Sequence, residues 1–330
     1  MRAAAIRQYK SPIEIMDLPR PVPGPKDLLV RVRAASVNPV DFKIRDGGVK
    51  VLLKFSFPLI LGNDLAGDVE AVGAEVMRFK PGDAIYARQD KERIGGFAEW
   101  ALVSESAAAL KPQTIDYVQA ASLPLVGLTA WQALIDIGKL QKGQSVLIHA
   151  GAGGVGTFAI QLARSLGAKV ATTASQKNHA LLQSLGADVC IDYKATRFED
   201  AVRDQDVVFD TQGGETLLRS FAVVKSGGTV VTVGGRPDGK FAKKWGLSWP
   251  LPWILALLAR PITSRARQKN ARFEYLFMHA SGEQLARIAK LVDEGTIRAV
   301  IDKTFPLDQA KEALAYVEAG RTVGKVVVVP

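Results

Sequence analysis

The feature that most constrains the fold is a cluster of glycines near the middle of the chain. The run SVLIH at 145–149 is typical of a strand, residues 151–156 read GAGGVG, and apolar residues then recur at helical spacing. A glycine-rich loop between a strand and a helix predicts a dinucleotide site, in which backbone N–H groups meet a pyrophosphate. The alternative is a tight turn between packed elements. The residues assigned to the cofactor here are Gly151, Gly153, Gly154, Val155 and Gly156.

The residues after this loop favour a particular cofactor. NAD-selective sites carry an Asp or Glu about 20 residues after the glycines, where it binds the ribose 2′-hydroxyl. No acid occurs from Gly151 to Ala187, and the next predicted strand ends in Ser175, with Lys177 two residues on. A hydroxyl and an ammonium suit a 2′-phosphate, so NADPH is predicted. Lys177 at a solvated helix start is the alternative.

The rest of the chain divides into two kinds of pattern. Up to about Ser122 short alternating strands follow one another, whereas from Pro124 strands alternate with helices. The single cysteine, Cys190, excludes a disulfide within the chain and any multi-cysteine metal site. No apolar leader follows Met1 and no run of about 18 apolar residues occurs. We therefore expect a cytoplasmic protein.

Several motifs together resemble the medium-chain dehydrogenase/reductase family, in its zinc-lacking quinone oxidoreductase and enone reductase branch. The motifs are ASVNPVDFKIRDG, LGNDLAGDV, PGDAIYA, ASLPLVGLTAW, AGAGGVG, DTQGG, VVTVGG and GRTVGKVVV. The resemblance implies an α/β fold, with a doubly wound Rossmann sheet that binds NADP(H) at 125–280. It also implies a GroES-like, mostly antiparallel β catalytic domain formed by 1–124 and 281–330.

The resemblance also bears on the chemistry. Asn38 and Asn63 stand where zinc-containing relatives have a cysteine and a histidine. Amides are not the thiolate and imidazole ligands of zinc, so no metal site is expected. An NADPH-dependent, zinc-independent reductase of quinones or α,β-unsaturated carbonyls is predicted, acting on a small lipophilic substrate. Two alternatives stay open: a zinc-independent dehydrogenase/reductase of saturated alcohols or ketones, and a cofactor-binding organising protein with little turnover.

Individual residue roles follow from the same resemblance. Lys43 matches a lysine that lies near the substrate carbonyl in plant enone reductases, Asp41 would orient it, and Asn38 would lie beside the nicotinamide. A surface lysine is the alternative for Lys43. On the cofactor side the resemblance implies roles for Ser175, Lys177 and Tyr193 at the 2′-phosphate, for Thr129, Gly234 and Gly235 on the nicotinamide side, and for Lys325 from the C-terminal segment.

One segment is not explained by these motifs. The net charge is +10, and residues 240–272 hold eight Lys and Arg without one acid. Trp245, Trp249 and Trp253 recur every four residues there, and the prolines predict a helix from about Trp253 to Arg260. A cap or subunit interface, a peripheral membrane contact and nucleic-acid binding remain open, the last being the least favoured. We also expect a homodimer.

Overall fold

The computed structural model describes residues 1–91 and 93–330. The chain divides into two compact units: Met1–Leu128 with His279–Pro330 form the first, and Thr129–Met278 form the second. The first unit therefore contains both ends of the chain.

The strands of the described residues, in chain order, are β1 (Arg2–Ile6), β2 (Glu14–Asp17), β3 (Asp27–Val37), β4 (Leu59–Ile60), β5 (Asp64–Val72), β6 (Ala84–Arg88), β7 (Trp100–Ser104), β8 (Ala108–Leu110), β9 (Ser145–Ile148), β10 (Lys169–Ala174), β11 (Val189–Asp192), β12 (Gln205–Asp210), β13 (Val224–Thr232), β14 (Arg272–Tyr275), β15 (Ile301–Pro306) and β16 (Lys325–Val329).

The α-helices of the same residues are α1 (Pro39–Arg45), α2 (Tyr117–Ala121), α3 (Pro124–Trp131), α4 (Gly154–Ser165), α5 (His179–Ser184), α6 (Phe198–Ala201), α7 (Gly214–Val223), α8 (Gly239–Lys244), α9 (Leu251–Leu258), α10 (Arg260–Gln268), α11 (Gly282–Asp293) and α12 (Ala310–Glu318). A π-helical turn, Gln132–Ile137, continues α3.

The first unit is mainly antiparallel. Its larger sheet has the order β15-β16-β3-β5-β6-β8, with β7 also paired to β3, and its smaller sheet has the order β2-β1-β4. Among the strands of this unit that the structure describes, only β15 and β16 run parallel to one another. Apolar residues that alternate along β3 and β5 form its core, together with residues of α12 and β16. The C-terminal strand is thus an integral part of the sheet that begins near the N-terminus.

The second unit is a parallel sheet with the order β11-β10-β9-β12-β13-β14. Numbered within the unit, this order is 3-2-1-4-5-6, the Rossmann arrangement. The predicted fold class, a Rossmann sheet with a GroES-like β domain, is confirmed. Because all strands point the same way, the loops after β9, β10, β11, β12 and β13 meet at one edge of the sheet.

Three local predictions were wrong. The run LAGDVEAVGAEVMRFK predicts two strands joined by a tight turn near Gly73. The residues after Gly73 form no second strand, because the Gly73 and Glu75 N–H groups donate to the carbonyl oxygens of Asp27 and Pro25. The run RFEYLFM predicts a strand at 272–278, but the strand ends at Tyr275. The helix predicted from Trp253 to Arg260 begins at Leu251, where Pro252 occupies its first turn, and ends at Leu258. Proline is tolerated in the first turn because the N–H that it lacks has no intrahelical partner there.

Candidate functional site

The glycine loop has the geometry of a phosphate cradle. A Cβ on Gly151 would lie 2.0 Å from the Thr172 hydroxyl oxygen, and one on Gly156 would lie 2.4 Å from the Ala150 carbonyl oxygen. Both positions therefore accept only glycine if the loop is to keep its path. A Cβ on Gly153 would meet nothing closer than 3.5 Å. This open side of the backbone is where a pyrophosphate would approach, so the loop fits a dinucleotide.

Helix α4 begins at this loop and supplies the positive end of its dipole. Gly153 is the N-cap, and the Thr157 N–H already donates to its carbonyl oxygen at 2.9 Å. The N–H groups of residues 154–156 precede the first intrahelical bond and point out of the helix end. Such a terminus attracts phosphate groups. The predicted residues of the loop are thus brought together at one helix start.

The three residues predicted for the 2′-phosphate lie on adjacent loops of the same edge. The β10–β11 register pairs Ala174 with Asp192, so Ser175 and Tyr193 follow neighbouring strand ends. Lys177 lies in a single 3₁₀ turn after Ser175. Within residues 1–91 and 93–330, the Lys177 ammonium has no hydrogen-bond or ion-pair partner, and both Lys177 and Tyr193 are exposed. A free cation at this edge is available to an anionic group.

The loops after β12 and β13 lie at the same edge of the sheet and contact one another. A Cβ on Gly213, where φ is +72°, would lie 2.2 Å from the Gly234 carbonyl oxygen. Buried Asp210 accepts hydrogen bonds from the Gly213 N–H (2.9 Å) and the Thr232 hydroxyl (2.6 Å), and the Gly235 N–H donates to the Thr232 oxygen (3.0 Å). Asp210 and Thr232, which fix these two loops, were not among the residues predicted from the sequence. The signal that could have indicated Asp210 is its position as an acid at the end of a buried strand.

Thr129, another predicted cofactor residue, is the first residue of the second unit and is 4% exposed. It lies within α3, not in a loop.

In the first unit, a row of buried charged and amide side chains crosses four strands. The register pairs Val326 with Val37, Ser36 with Asp64, and Asp64 with Arg88. Because β16 and β3 are antiparallel, the first of these pairings places Lys325, just before Val326, opposite Asn38, just after Val37. This register therefore aligns a cation, an amide, a carboxylate and a second cation across β16, β3, β5 and β6.

Hydrogen bonds join three members of this row, Lys325, Asn38 and Asp64. The Lys325 ammonium donates to the Val37 carbonyl oxygen at 2.8 Å and to Asn38 Oδ1. Asn38 Nδ2 donates to Asp64 Oδ2 at 3.0 Å, and the Ser36 hydroxyl donates to the same oxygen at 2.7 Å. Burial raises the pKa of Asp64 and lowers the pKa of Lys325. Lys325 is one of the residues predicted to contact the cofactor. In this structure its ammonium holds the Asn38 side chain, which belongs to the same unit.

A second buried carboxylate lies next to this row. Asp41 accepts hydrogen bonds from the Asn38 backbone N–H and from Asn63 Nδ2, each at 2.7 Å. It therefore fixes the start of α1 and the Asn63 side chain, rather than orienting Lys43 as the resemblance implied. Burial, the largest cause, raises the pKa of Asp41 to about 7, and the nearby Asp64 charge adds to the rise while Lys325 opposes it.

This pKa predicts how stability depends on pH. An unfolded Asp has a pKa near 3.8, so between about pH 4 and pH 7 the folded state binds more protons than the unfolded state. The Asp41 contribution to stability is then present at low pH and is lost as the pH rises through 7. We expect the free energy of unfolding, measured in urea, to fall from pH 5.5 to pH 8 by less in Asp41→Asn than in the wild type.

Exposed Asp46, near the end of the same helix, provides the matched control for that measurement. Its pKa is lowered by Arg45, so Asp46→Asn should keep the wild-type change between the two pH values. An Asp41→Asn variant with an unaltered pH dependence would show that Asp41 does not titrate in this range.

Three buried polar atoms near Asp41 have no partner among the described residues. They are Asn63 Oδ1, Arg88 Nε and Gln89 Oε1. Asn63 and Gln89 are directly joined, because the Gln89 N–H donates to the Asn63 carbonyl oxygen at 2.9 Å. Buried polar atoms are normally satisfied, so these three indicate a place for water or for the polar end of a bound molecule.

The residues at the family's zinc positions do not fit a metal. Asn38 and Asn63 present amides that are already bonded to Asp64 and Asp41, and Lys325 places an ammonium on the Asn38 oxygen. Residues 1–91 and 93–330 contain no group of three His, Cys, Asp or Glu side chains that could hold a metal ion. A cation within hydrogen-bond reach of the site would repel Zn²⁺.

Lys43 lies on α1, two residues beyond Asp41. Its side chain is exposed, and across the described part of the chain its ammonium has no hydrogen-bond or ion-pair partner. The backbone at Lys43 is fixed by the Gly48 N–H, which donates to its carbonyl oxygen at 2.8 Å. Lys43 is thus a free cation on a helix whose start is anchored in the buried row.

Two protein families match the chain. The family described as "Alcohol dehydrogenase GroES-like domain" matches residues 24–113, and that described as "Zinc-binding dehydrogenase" matches residues 185–328. The second description names zinc. In this chain, Asn38 and Asn63 stand where zinc-containing relatives have metal ligands, so those side chains do not support a zinc site here.

Individual relatives agree with these families. The human mitochondrial NAD(P)H oxidoreductase RTN4IP1 is 37% identical, with 92% of this chain and 82% of that protein covered. The 2-methylene-furan-3-one reductase of Solanum lycopersicum is 34% identical, with 100% and 79% covered. The structure of the quinone oxidoreductase from Coxiella burnetii superposes with a TM-score of 0.86 at 34% identity, with 100% and 99% covered. The chain belongs to the medium-chain dehydrogenase/reductase family, in its quinone oxidoreductase and enone reductase branch without a zinc-binding group.

Proposed function

We propose that this chain is a zinc-independent reductase that uses NADPH to reduce quinones or α,β-unsaturated carbonyls. The observation that carries the proposal is the bonded row of Lys325, Asn38 and Asp64. Asn38 stands at a position where zinc-containing relatives have a metal ligand, and here its amide is bonded to an ammonium and to a carboxylate. The family membership supports an oxidoreductase, and the residues of the second unit support a nicotinamide cofactor.

The choice of NADPH rests on the edge of the Rossmann sheet. Ser175 and Lys177 follow β10, the strand after which NAD-selective sites place a carboxylate. A 2′-phosphate brings negative charge and acceptor oxygens, which a free ammonium and a hydroxyl stabilise. Tyr193, on the adjacent loop, supplies a phenol hydroxyl or a ring surface for the same group.

The reduced nicotinamide supplies a hydride. In an enone the hydride goes to the electron-poor β carbon, and the electron pair moves through the conjugated system onto the carbonyl oxygen as an enolate. Lys43 is proposed to stabilise this negative charge, as an oxyanion donor does. Asn38, held by Lys325 and Asp64, is proposed to position the nicotinamide side, and a proton from a side chain or water completes the saturated product.

The experiment that tests the function compares acceptors under one set of conditions. NADPH consumption is followed with a simple enone, with a water-soluble quinone and with a saturated ketone, and NADP⁺ reduction is followed with the matching alcohol. We expect turnover of the enone, the quinone or both, with negligible turnover of the saturated pair. Preferred turnover of the alcohol and ketone would contradict the proposal.

A further inference from the structure

Helix α9 is apolar on every side, yet it is not part of a core. Its sequence is LPWILALL, and none of its residues is buried. A helix that is hydrophobic all round is normally enclosed by protein or lipid. The exposed fractions are 81% for Trp249, just before the helix, 74% for Trp253 and 67% for Leu257. With Ile254 and Leu258, which are also exposed, these residues form what we call the α9 face.

The opposite side of α9 is held by protein. A Cβ on Gly239 would lie 2.8 Å from Ala256 Cβ and 3.1 Å from the Pro252 carbonyl oxygen, so α8 and α9 are in close contact. Trp245 does not continue a tryptophan stripe, contrary to the possibility raised by the four-residue spacing. Its ring packs against Phe241 and Phe277, with centroids 5.2 and 4.6 Å away. The α9 face is thus presented by an anchored helix.

Charge of one sign flanks this face in the chain. From residue 239 to 273 the chain has no Asp or Glu. Lys243 and Lys244 lie in the last turn of α8, Arg260 begins α10, and all three are exposed. The flanking acid Asp238 is buried, where it accepts a hydrogen bond from the Phe241 N–H at 2.8 Å. The exposed cations of the segment are Lys240, Lys243, Lys244, Arg260, Arg265, Arg267 and Arg272.

We propose that the α9 face binds the surface of an anionic lipid bilayer. Tryptophans and aliphatic residues on one side of a short helix, with lysines and arginines beside them, match the boundary between acyl chains and negatively charged headgroups. Each cation near such a surface adds to the binding, and this part of the binding is screened by salt.

The length of the helix determines how it binds. Eight helical residues span about 12 Å, whereas the hydrocarbon core is about 30 Å thick. Among the described residues, no helix is long and apolar enough to cross a membrane. The helix therefore lies along the interface. Nucleic acid would use the cations but leave the aliphatic side chains exposed.

Cosedimentation of the whole protein with vesicles, without substrate, tests this proposal separately from the proposed function. Wild-type protein should bind phosphatidylcholine vesicles that contain phosphatidylglycerol at low salt, and more weakly at moderate salt or without the anionic lipid. The variant W249S/W253S/L257S should reduce the partition coefficient about 30-fold or more, because the apolar side chains leave the water on binding. The variant K243Q/K244Q/R260Q should reduce it roughly tenfold or more.

Matched controls separate the face from general effects. Val22→Ser with Met77→Ser removes two exposed apolar side chains of the first unit, and K142Q/K169Q/K311Q removes three exposed lysines elsewhere. Both controls should bind as the wild type does. Thermal unfolding and NADPH turnover should be unchanged in every variant, and Trp249→Ser alone serves if the triple variant does not fold.

Three results would overturn the proposal. The first is that wild-type protein does not bind anionic vesicles at low salt, whether or not it binds RNA. The second is an α9-face variant that binds vesicles as tightly as the wild type does, since charge alone would then suffice. The third is a dimer that loses its association in the α9-face variant while vesicle binding stays unchanged, which would assign the face to a second copy of the chain.

Discussion

Replacing Lys43 with alanine should lower kcat for enone reduction by about 10- to 1000-fold, a range whose upper part matches the roughly 100- to 1000-fold cost of losing one oxyanion donor. The reason is that the enolate oxygen would lose the only proposed cation beside it at the moment when charge develops. NADPH affinity should barely change, because Lys43 belongs to the first unit and the glycine loop to the second. Steady-state kinetics and a fluorescence titration of NADPH measure the two effects.

Two further variants make this test specific. Lys43→Arg keeps a cation and should retain more activity than Lys43→Ala. Lys50, an exposed lysine shortly after α1, is the matched control, and Lys50→Ala should leave kcat within about twofold of the wild type. If Lys43→Ala kept the wild-type kcat in an enzyme that reduces enones, Lys43 would have no role in the chemical step.

Lys177→Ala should weaken NADPH binding about tenfold or more and leave NADH binding nearly unchanged. A charge-assisted hydrogen bond contributes roughly 1.5–3 kcal/mol, and only NADPH carries the phosphate that would receive it. The dissociation constants of both cofactors, measured for wild type and variant, form a thermodynamic cycle that isolates the phosphate.

Lys169 is the matched control for this cycle. It is exposed and begins β10, the strand whose opposite end leads to Ser175 and Lys177. Lys169→Ala should change neither dissociation constant. Equal affinities of the wild type for NADPH and NADH would rule out a 2′-phosphate site at Lys177.

The Rossmann unit could be predicted well because its signals are local. The strand, glycine loop and helix occupy about 20 consecutive residues, and each of Gly151 and Gly156 lies against an atom that a Cβ would strike. A short-range steric requirement of this kind is visible in sequence as a spacing. The edge that unites Ser175 with Tyr193 follows once the strands are taken to be parallel.

The buried row of the first unit could not be derived in this way. Lys325 meets Asn38 only because β16 pairs with β3 in one register, although almost 290 residues separate the two positions. A shift of one residue in that register would turn the lysine to the other face of the sheet. Sequence spacing also misled at Trp245, since its neighbour Phe277 comes from beyond β14 and no local pattern indicates that contact.

Isotope transfer measures directly whether hydride passes from NADPH to the β carbon of a conjugated acceptor. The protein is incubated with an enone and with NADPH that carries deuterium at both C4 positions, and the product is analysed by NMR and mass spectrometry. We expect one deuterium on the former β carbon of a saturated ketone. Deuterium on the carbonyl carbon of an allylic alcohol would contradict the account, because the enzyme would then reduce the carbonyl group and not the conjugated double bond.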